Sequence, residues 1–347
     1  MTGDRQPKVR DDPAAKVVAS LALAVGTVAE SNRLCVRLAG RSVELRATDP
    51  ALLAALAPAI EHRRTPETSR PDLTVWIGDT ASTGLDPQHL AAGWTPHQPR
   101  TGDGPRGPRT AFEPDGGRLT VLDVERATGY LWYPSVAAVP PWERAAPLRT
   151  LLHWWLPSHG TRLIHAAAVE TGRRAALLVG PGGAGKSTTA LACRERGLGY
   201  LGDDYVAVTS GEPRPTVHNL YASGKVIVCG QAVHLSPTDA SPLAPIDERG
   251  KQAFRLDATG LPDQAEAVVI LVMRLGAGQP GIHPIGRADA LRAVAPSTVL
   301  QQPGDQQAAL SFLRRLVATV PVRAVNLHPD PAIVAGHVAA AIEEGDQ

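Results

Sequence analysis

Gly180-Pro181-Gly182-Gly183-Ala184-Gly185-Lys186-Ser187 decides the reading of this 347-residue chain. The spacing is G-x-x-x-x-G-K-[ST], the pattern of a phosphate-binding loop. Gly180, Gly182, Gly183 and Gly185 lack a β-carbon, so the backbone is expected to take positive φ and turn its N–H groups inward. Such N–H groups form an anion nest, and the helix that follows points its positive end at the same spot. The expected nucleotide contacts are Gly180, Pro181, Gly182, Gly183, Ala184, Gly185, Lys186, Ser187 and Thr188. Lys186 brings a full charge to the β- and γ-phosphates of ATP, and the Ser187 hydroxyl is placed to ligate Mg²⁺. Gly180, Gly182 and Gly185 also fit the dinucleotide spacing G-x-G-x-x-G, but Lys186-Ser187 is what a triphosphate loop needs and a dinucleotide loop does not.

The flanks agree with that reading. Ala175–Val179 is a short apolar run suited to a buried strand, and Thr188–Arg196 reads as a helix stopped by Gly197. Upstream, Leu163–Val169, a turn at Glu170-Thr171-Gly172 and Ala175–Val179 form an expected hairpin that feeds the loop. Downstream, Gly199–Val208 carries Asp203-Asp204, Asn219–Val228 is strand-like and carries Lys225, and Ala265–Arg274 is a strongly apolar strand. Asp289–Ala295 and Asp305–Val317 read as amphipathic helices, Val322–Leu327 as a strand and Pro331–Glu344 as a closing helix. Strands alternating with helices from Leu163 onward predict an α/β fold.

A phosphate loop alone says only that a nucleotide is bound. Phosphoryl transfer also needs a metal anchor and a group that positions or deprotonates the acceptor. Asp203 and Asp204 are the candidates, because one helix and a turn can return them to the mouth of the loop. Two adjacent carboxylates repel each other and resist desolvation at the end of an apolar strand. Near Mg²⁺ and a reacting hydroxyl they have a use, one on the metal and one accepting the proton. A solvated Gly-Asp-Asp turn is the competing reading. His165 in an apolar strand reads by itself as a core histidine. Lys225 and Lys251 stand out because arginine fills most basic positions, and both are candidate phosphate or acceptor contacts. Arg274, at a strand end, is a third such candidate in the manner of an arginine finger, although a surface arginine is the plainer reading.

Before the loop the chain carries no chemical motif. Residues Met1 to about Ala15 are expected to fray, and Val17–Ala29 is an apolar run too short to span a bilayer, read as a buried strand or helix. Leu34–Arg46 reads as a hairpin about Gly40-Arg41, Asp49 as an N-cap with Pro50 opening a helix through Ile60, and Leu73–Ile77 as a strand. Gly93–Gly117 reads as a long Pro/Gly/Arg loop whose Arg100, Arg106 and Arg109 could hold an anion, with a solvated loop the weightier reading. Leu119–Val124 and Tyr130–Tyr133 read as paired strands. Pro141–Leu156 reads as one helical pattern, with Trp142, Trp154 and Trp155 expected to pack. The expected organisation is an α+β N-terminal domain over 1–140, a candidate substrate- or peptide-binding unit, with a flexible loop near 93–117, and a catalytic domain over 141–347.

Composition narrows the class. A net charge of +1 argues against a nucleic-acid or membrane-surface partner. Cys35, Cys193 and Cys229 form no C-x-x-C pair, so neither a zinc site nor a disulfide framework is expected, and a cytoplasmic location is. G-x-S-x-G, H-E-x-x-H and the protein-kinase set are absent from the sequence.

The run Ile164-His165-Ala166-Ala167-Ala168-Val169-Glu170, the loop itself, and Arg196-Gly197-Leu198-Gly199-Tyr200-Leu201-Gly202-Asp203-Asp204-Tyr205-Val206 together resemble the HPr kinase/phosphorylase catalytic domain. The likeness is nearest to the HPr-kinase-like proteins of bacterial peptide-modification clusters, whose lasso-pathway members phosphorylate a serine of the precursor peptide. It is specific over Leu163–Val208 and looser through Tyr221–Lys225, Lys251 and Ala295–Leu300. The resemblance implies a P-loop catalytic domain behind a smaller α+β domain, ATP and Mg²⁺ as cofactors, a peptide or small-protein substrate, and homo-oligomers. It places His165, Asp203, Asp204 and Lys186 in the active site, with one aspartate as general base. The resemblance leaves open which of the two is the base; the preferred assignment is Asp203, with Asp204 nearer the metal and histidine and Ser187 on the metal. The signature that supports the reverse, phosphorylase reaction has no clear copy here, and Pro181-Gly182 stands where true members often carry serine. The alternatives are a kinase of free amino acids or other small alcohols, and a nucleotide-binding regulator without transfer.

Overall fold

The computed structural model describes residues 12–26, 32–95, 100–101 (backbone only), 107–227, 240–247, 250–276, 278–300 and 304–345. Arg106, Cys229 and the side chain of Arg100 lie outside the described residues, as do the ends of the expected segments Val17–Ala29 and Asn219–Val228.

The apolar run near the N-terminus is a helix, Pro13–Ala24. The Asp12 carboxylate accepts from the Ala14 N–H at 2.9 Å, so the helix begins inside the stretch expected to fray. Val17, Val18 and Leu21 are buried with Leu119, Val121, Tyr130 and Trp132 of the first sheet. That sheet has seven strands in the spatial order Arg33–Leu38, Arg41–Ala47, Leu73–Asp79, Thr128–Tyr133, Arg118–Asp123, Arg109–Glu113 and Arg100–Thr101. The Leu34–Arg46 hairpin forms, and Arg118–Asp123 pairs antiparallel with Thr128–Tyr133. The stretch expected to be one long loop is not: Arg109–Glu113 joins the sheet and pairs with Arg100–Thr101. Five strand residues were hidden by the Pro, Gly and Arg around them. The Arg109 Nη1 donates to the Trp154 carbonyl at 3.4 Å, which gives it a packing role.

The pattern Pro141–Leu156 is two helices, Pro141–Ala145 and Arg149–Trp155. Pro147 forces the break, since the residue before a proline disfavours helical ψ. Ala146 is accordingly extended, with φ −140° and ψ 70°, and Leu148 turns the chain at φ 64°. Helix Arg149–Trp155 shares a core with the first sheet, and Leu163, Tyr205, Leu220 and Tyr221 enter the same core from further along the chain.

The second sheet has nine strands around Gln264–Arg274. This long central strand pairs parallel with Arg174–Val179 on one edge. On the other edge it pairs antiparallel with Thr216–His218 at its start and parallel with Val322–Asn326 at its end. Helices Lys186–Glu195 and Pro331–Glu344 pack on one face, and Arg287–Val299 with Gln306–Thr319 on the other. A three-stranded sheet, in the order Ser223–Ile227, Lys251–Leu256 and Ala240–Pro242, completes a mixed α/β architecture. Among the described residues no helix is long and apolar enough to cross a membrane, and Cys35 and Cys193 are free and buried.

The expected strand Leu163–Val169 is broken, and the run Gly199–Val208 is broken in the same way. Leu163–Val169 belongs to Thr161–Ile164 and Ala167–Thr171, and Gly199–Val208 to Gly199–Gly202 and Val206–Thr209. The two runs lie antiparallel, with Val206 opposite Ile164 and Gly202 opposite Ala168. Both ladders therefore stop at one level, at His165-Ala166 on one run and Asp203-Asp204-Tyr205 on the other.

Candidate active site

The loop Gly180–Ser187 leaves the C-terminal end of strand Arg174–Val179, which is buried beside the central strand. In open α/β sheets that end is where ligands bind. Gly180, Gly183 and Gly185 take positive φ, but Gly182 does not. Glycine is obligatory at 185: φ is 89°, and a β-carbon there would stand 2.5 Å from Leu327 Cδ1. Helix Lys186–Glu195 starts with no side-chain cap, so its first N–H groups face the loop unpaired by a cap. Lys186 is 6 % exposed, and its Nζ donates to the carbonyls of Gly180 at 2.9 Å and Pro181 at 3.1 Å. Burial pulls its pKa down, and Asp204 partly opposes that pull.

The interrupted strands supply the opposite wall. A strand interior sends successive side chains to opposite faces. The two breaks free His165, Asp203 and Asp204 from that alternation and let them meet. Asp204 Oδ1 lies 3.1 Å from His165 Nε2, and Asp204 Oδ2 accepts from Lys225 Nζ at 2.5 Å. His165 is further held by its backbone N–H, which donates to Thr298 Oγ1 at 3.2 Å. Asp203 Oδ2 accepts from the Lys225 backbone N–H at 2.8 Å, and the Ser187 hydroxyl lies close enough to its carboxylate to favour the charged form. Gly202, at φ 151°, makes the turn that presents this pair.

The two carboxylates are driven apart electrostatically. Burial, then the neighbouring Asp204 charge, push Asp203 up to about 6. Burial pushes Asp204 upward too, but the Lys225 ammonium and His165 outweigh it and hold Asp204 well below the usual carboxylate range. Lys225 is raised in return, Asp204 overcoming the effect of its own burial. Asp204 is thus the carboxylate of the pair whose charged form is favoured, bridged between Lys225 and His165. Asp203 is the carboxylate able to exchange a proton near neutral pH.

A cleft of about 390 Å³ joins these parts, with Lys186, Ser187, Asp203, Asp204, Lys225 and Lys251 among its lining. Arg274 is not brought to it. It lies exposed in an adjoining groove, lined by Pro181, Gly182, Gly183 and Ala184 of the loop with Asp289 and Arg292. Lys251 does line the cleft, near enough to Lys186 to lower its pKa. The sequence reading missed Arg149 and Tyr205, and it took Trp142 for packing alone; all three line this cleft. No local motif marks Arg149, because the fold of another segment gives it its place. The aromatic spacing around Trp142 was the one available signal.

The chain matches no protein-family model and no curated protein. Among solved structures it is similar to the Hpr(Ser) kinase/phosphatase from Coxiella burnetii, at 14% identity and a TM-score of 0.29, over 54% of this chain and 99% of that one. A superposition at that score supplies no residue correspondence, and the functional reading below stands on this chain's own geometry.

Proposed function

We propose that this chain is an ATP- and Mg²⁺-dependent kinase that transfers the γ-phosphoryl group to a hydroxyl, a serine of a peptide or small protein. The observation that carries the reading is the convergence of Lys186 and Ser187 of the loop with Asp203 in one cleft, with Asp204 bridged between His165 and Lys225 in the same wall. A phosphate-binding loop with no transfer chemistry has no use for a buried carboxylate beside a half-buried one, which cost desolvation and repel each other.

The loop N–H groups and Lys186 would bind and neutralise the triphosphate, Lys186 exchanging its two carbonyl partners for phosphate oxygens. For Mg²⁺ the donor set fits in part. Ser187 offers a hydroxyl at the helix start, while both Asp204 oxygens are engaged by His165 and Lys225, so Asp204 is a poorer ligand than the sequence suggested. No group of three or more His, Cys, Asp or Glu side chains that could hold a metal occurs among the described residues. That suits Mg²⁺, which keeps several waters and leans on substrate phosphates. When bound it supplies neutralisation of charge on the phosphate oxygens.

In the proposed step the acceptor oxygen attacks the γ-phosphorus, its proton passes to the Asp203 carboxylate, and the bond from γ-phosphorus to the bridging oxygen breaks, releasing ADP. Asp204, fixed by Lys225 and His165, orients the wall and sustains the raised pKa of Asp203. Most of the rate enhancement comes from positioning and charge neutralisation, as in phosphoryl transfer generally. The test uses γ-labelled ATP, Mg²⁺ and size-fractionated peptides, with Lys186→Ala as the blank. Label in a peptide fraction, acid-stable and alkali-labile, supports the reading. ATP bound tightly with every fraction unlabelled overturns it.

A further inference from the structure

Arg149 is a cation held by two aromatic rings, with the buried Glu143 carboxylate near enough to feel its charge but not ion-paired to it. It opens helix Arg149–Trp155 and lines the cleft beside Asp203 and Asp204. Its guanidinium carbon sits 4.6 Å from the centre of the Trp142 ring and 5.2 Å from that of Tyr205. Among the described residues no hydrogen bond or ion pair reaches Arg149, and its Nε is buried unpaired. A buried donor left unmade costs about 1–3 kcal/mol, so the position is unfavourable unless something completes it.

Two other cations of the cleft are engaged at the loop and the carboxylate pair. Lys225 is bound to Asp204, and Lys186 lies on the loop with Lys251 beside it. Arg149 stands instead on the Tyr205 side, and the Tyr205 ring lies 5.3 Å from that of His165. Its place is fixed from behind. Arg118, wholly buried, lies 4.6 Å from the same Trp142 ring and is ion-paired to Glu143 and Glu113. A guanidinium whose faces are taken by aromatic rings keeps its N–H edge for a planar anion, and carboxylate matches that edge in two parallel hydrogen bonds.

We propose that Arg149, positioned by Trp142 and Tyr205, is the acceptor-recognition residue of the cleft and binds a side-chain carboxylate next to the hydroxyl, so that the substrate is an acidic peptide. This rests on the kinase reading above, and the experiment separates the two.

Two pools of dye-labelled heptapeptides, N-acylated and C-amidated, carry a central serine flanked by Asp and Glu in one pool and by Asn and Gln in the other. Binding is read by anisotropy with Mg²⁺ and a non-hydrolysable ATP analogue, and transfer separately with γ-labelled ATP. The wild type is expected to bind the acidic pool about tenfold more tightly, the scale of one charge-assisted contact. Arg149→Gln removes that preference, and Arg149→Lys, a point charge without the fork, restores part of it. Equal affinity for both pools, or a preference that survives Arg149→Gln, overturns the proposal. Should Arg149→Gln fail to fold, the wild-type preference and the Lys variant decide. Label passing equally into both pools keeps the kinase and overturns the acidic subsite. An Arg149-dependent preference with no label in either pool keeps the subsite and overturns the kinase.

Discussion

The molecule buries charge in two places, and the two clusters have opposite designs. Within the first core, Arg118 lies between Glu143 and Glu113, takes a further bond to Thr150 Oγ1 at 3.2 Å, and is wholly inaccessible, as is Glu143. In the cleft, Asp203 and Asp204 are like charges side by side, with one cation, Lys225, between them and a side chain of Asp204 still 21% accessible. The first cluster alternates sign and is closed. The second repeats sign and is open. Like charges held together at an accessible surface make sense where a ligand or a proton will complete them.

Substitutions can break this contrast. The largest effect is expected from Lys186→Ala and Asp203→Asn, each lowering transfer on the order of 10³-fold. Asp203→Asn should leave the protein at least as stable at pH 8. A carboxyl with a raised native pKa stabilises the fold most below its unfolded pKa and loses that contribution as pH rises through about 6, so its neutral amide relieves the native state. If thermal melting instead showed Asp203→Asn markedly less stable, the cleft cluster would be structural and the contrast would fail.

Arg118→Ala should do the reverse, lowering stability by about 3–5 kcal/mol in urea titrations because Glu143 is left buried and unpaired. ATP affinity per folded molecule should persist. Lys225→Met falls between them, costing about 1–3 kcal/mol, since Asp204 loses its cation while keeping His165 and some solvent. It should also lower transfer, and an effect on only one of the two readouts would assign Lys225 to one class.

The smallest effect lies outside both clusters. Burial holds His153 and His218 neutral, each lowered to about 4. The unfolded chain binds those protons from about pH 6.5, so their contribution is full above 6.5 and is lost as pH falls toward 4. About 1–2 kcal/mol each should be gone at pH 5. His218→Gln, measured by urea unfolding at pH 5 and 7.5, should flatten that slope if the acid loss belongs to the histidines rather than to the carboxylates.

Much of this could be read from the chain. The loop spacing, the apolar strands on both sides, the Leu34–Arg46 hairpin and the closing helix each follow from local rules of turn, period and cap. The errors share a cause. Pro147 split a helix whose aromatic spacing ran on across it. Arg109–Glu113 became a strand because Arg118–Asp123 was there to pair with it. His165 read as a strand interior because nothing local shows that two antiparallel runs will stop at one level.

By itself the sequence determined the chemistry on offer: glycines that admit positive φ, a lysine and a serine at a helix start, and a carboxylate pair. Those are properties of single residues and short spacings. Only the tertiary structure decided how that chemistry is divided. It set Lys225 against Asp204 and Ser187 near Asp203, left Arg274 in a groove adjoining the cleft, and brought Arg149 over the Trp142 and Tyr205 rings at the cleft. The pKa of a carboxylate and the partner of a guanidinium depend on charges and burial supplied by segments distant in the chain, and such environments exist only once those segments pack.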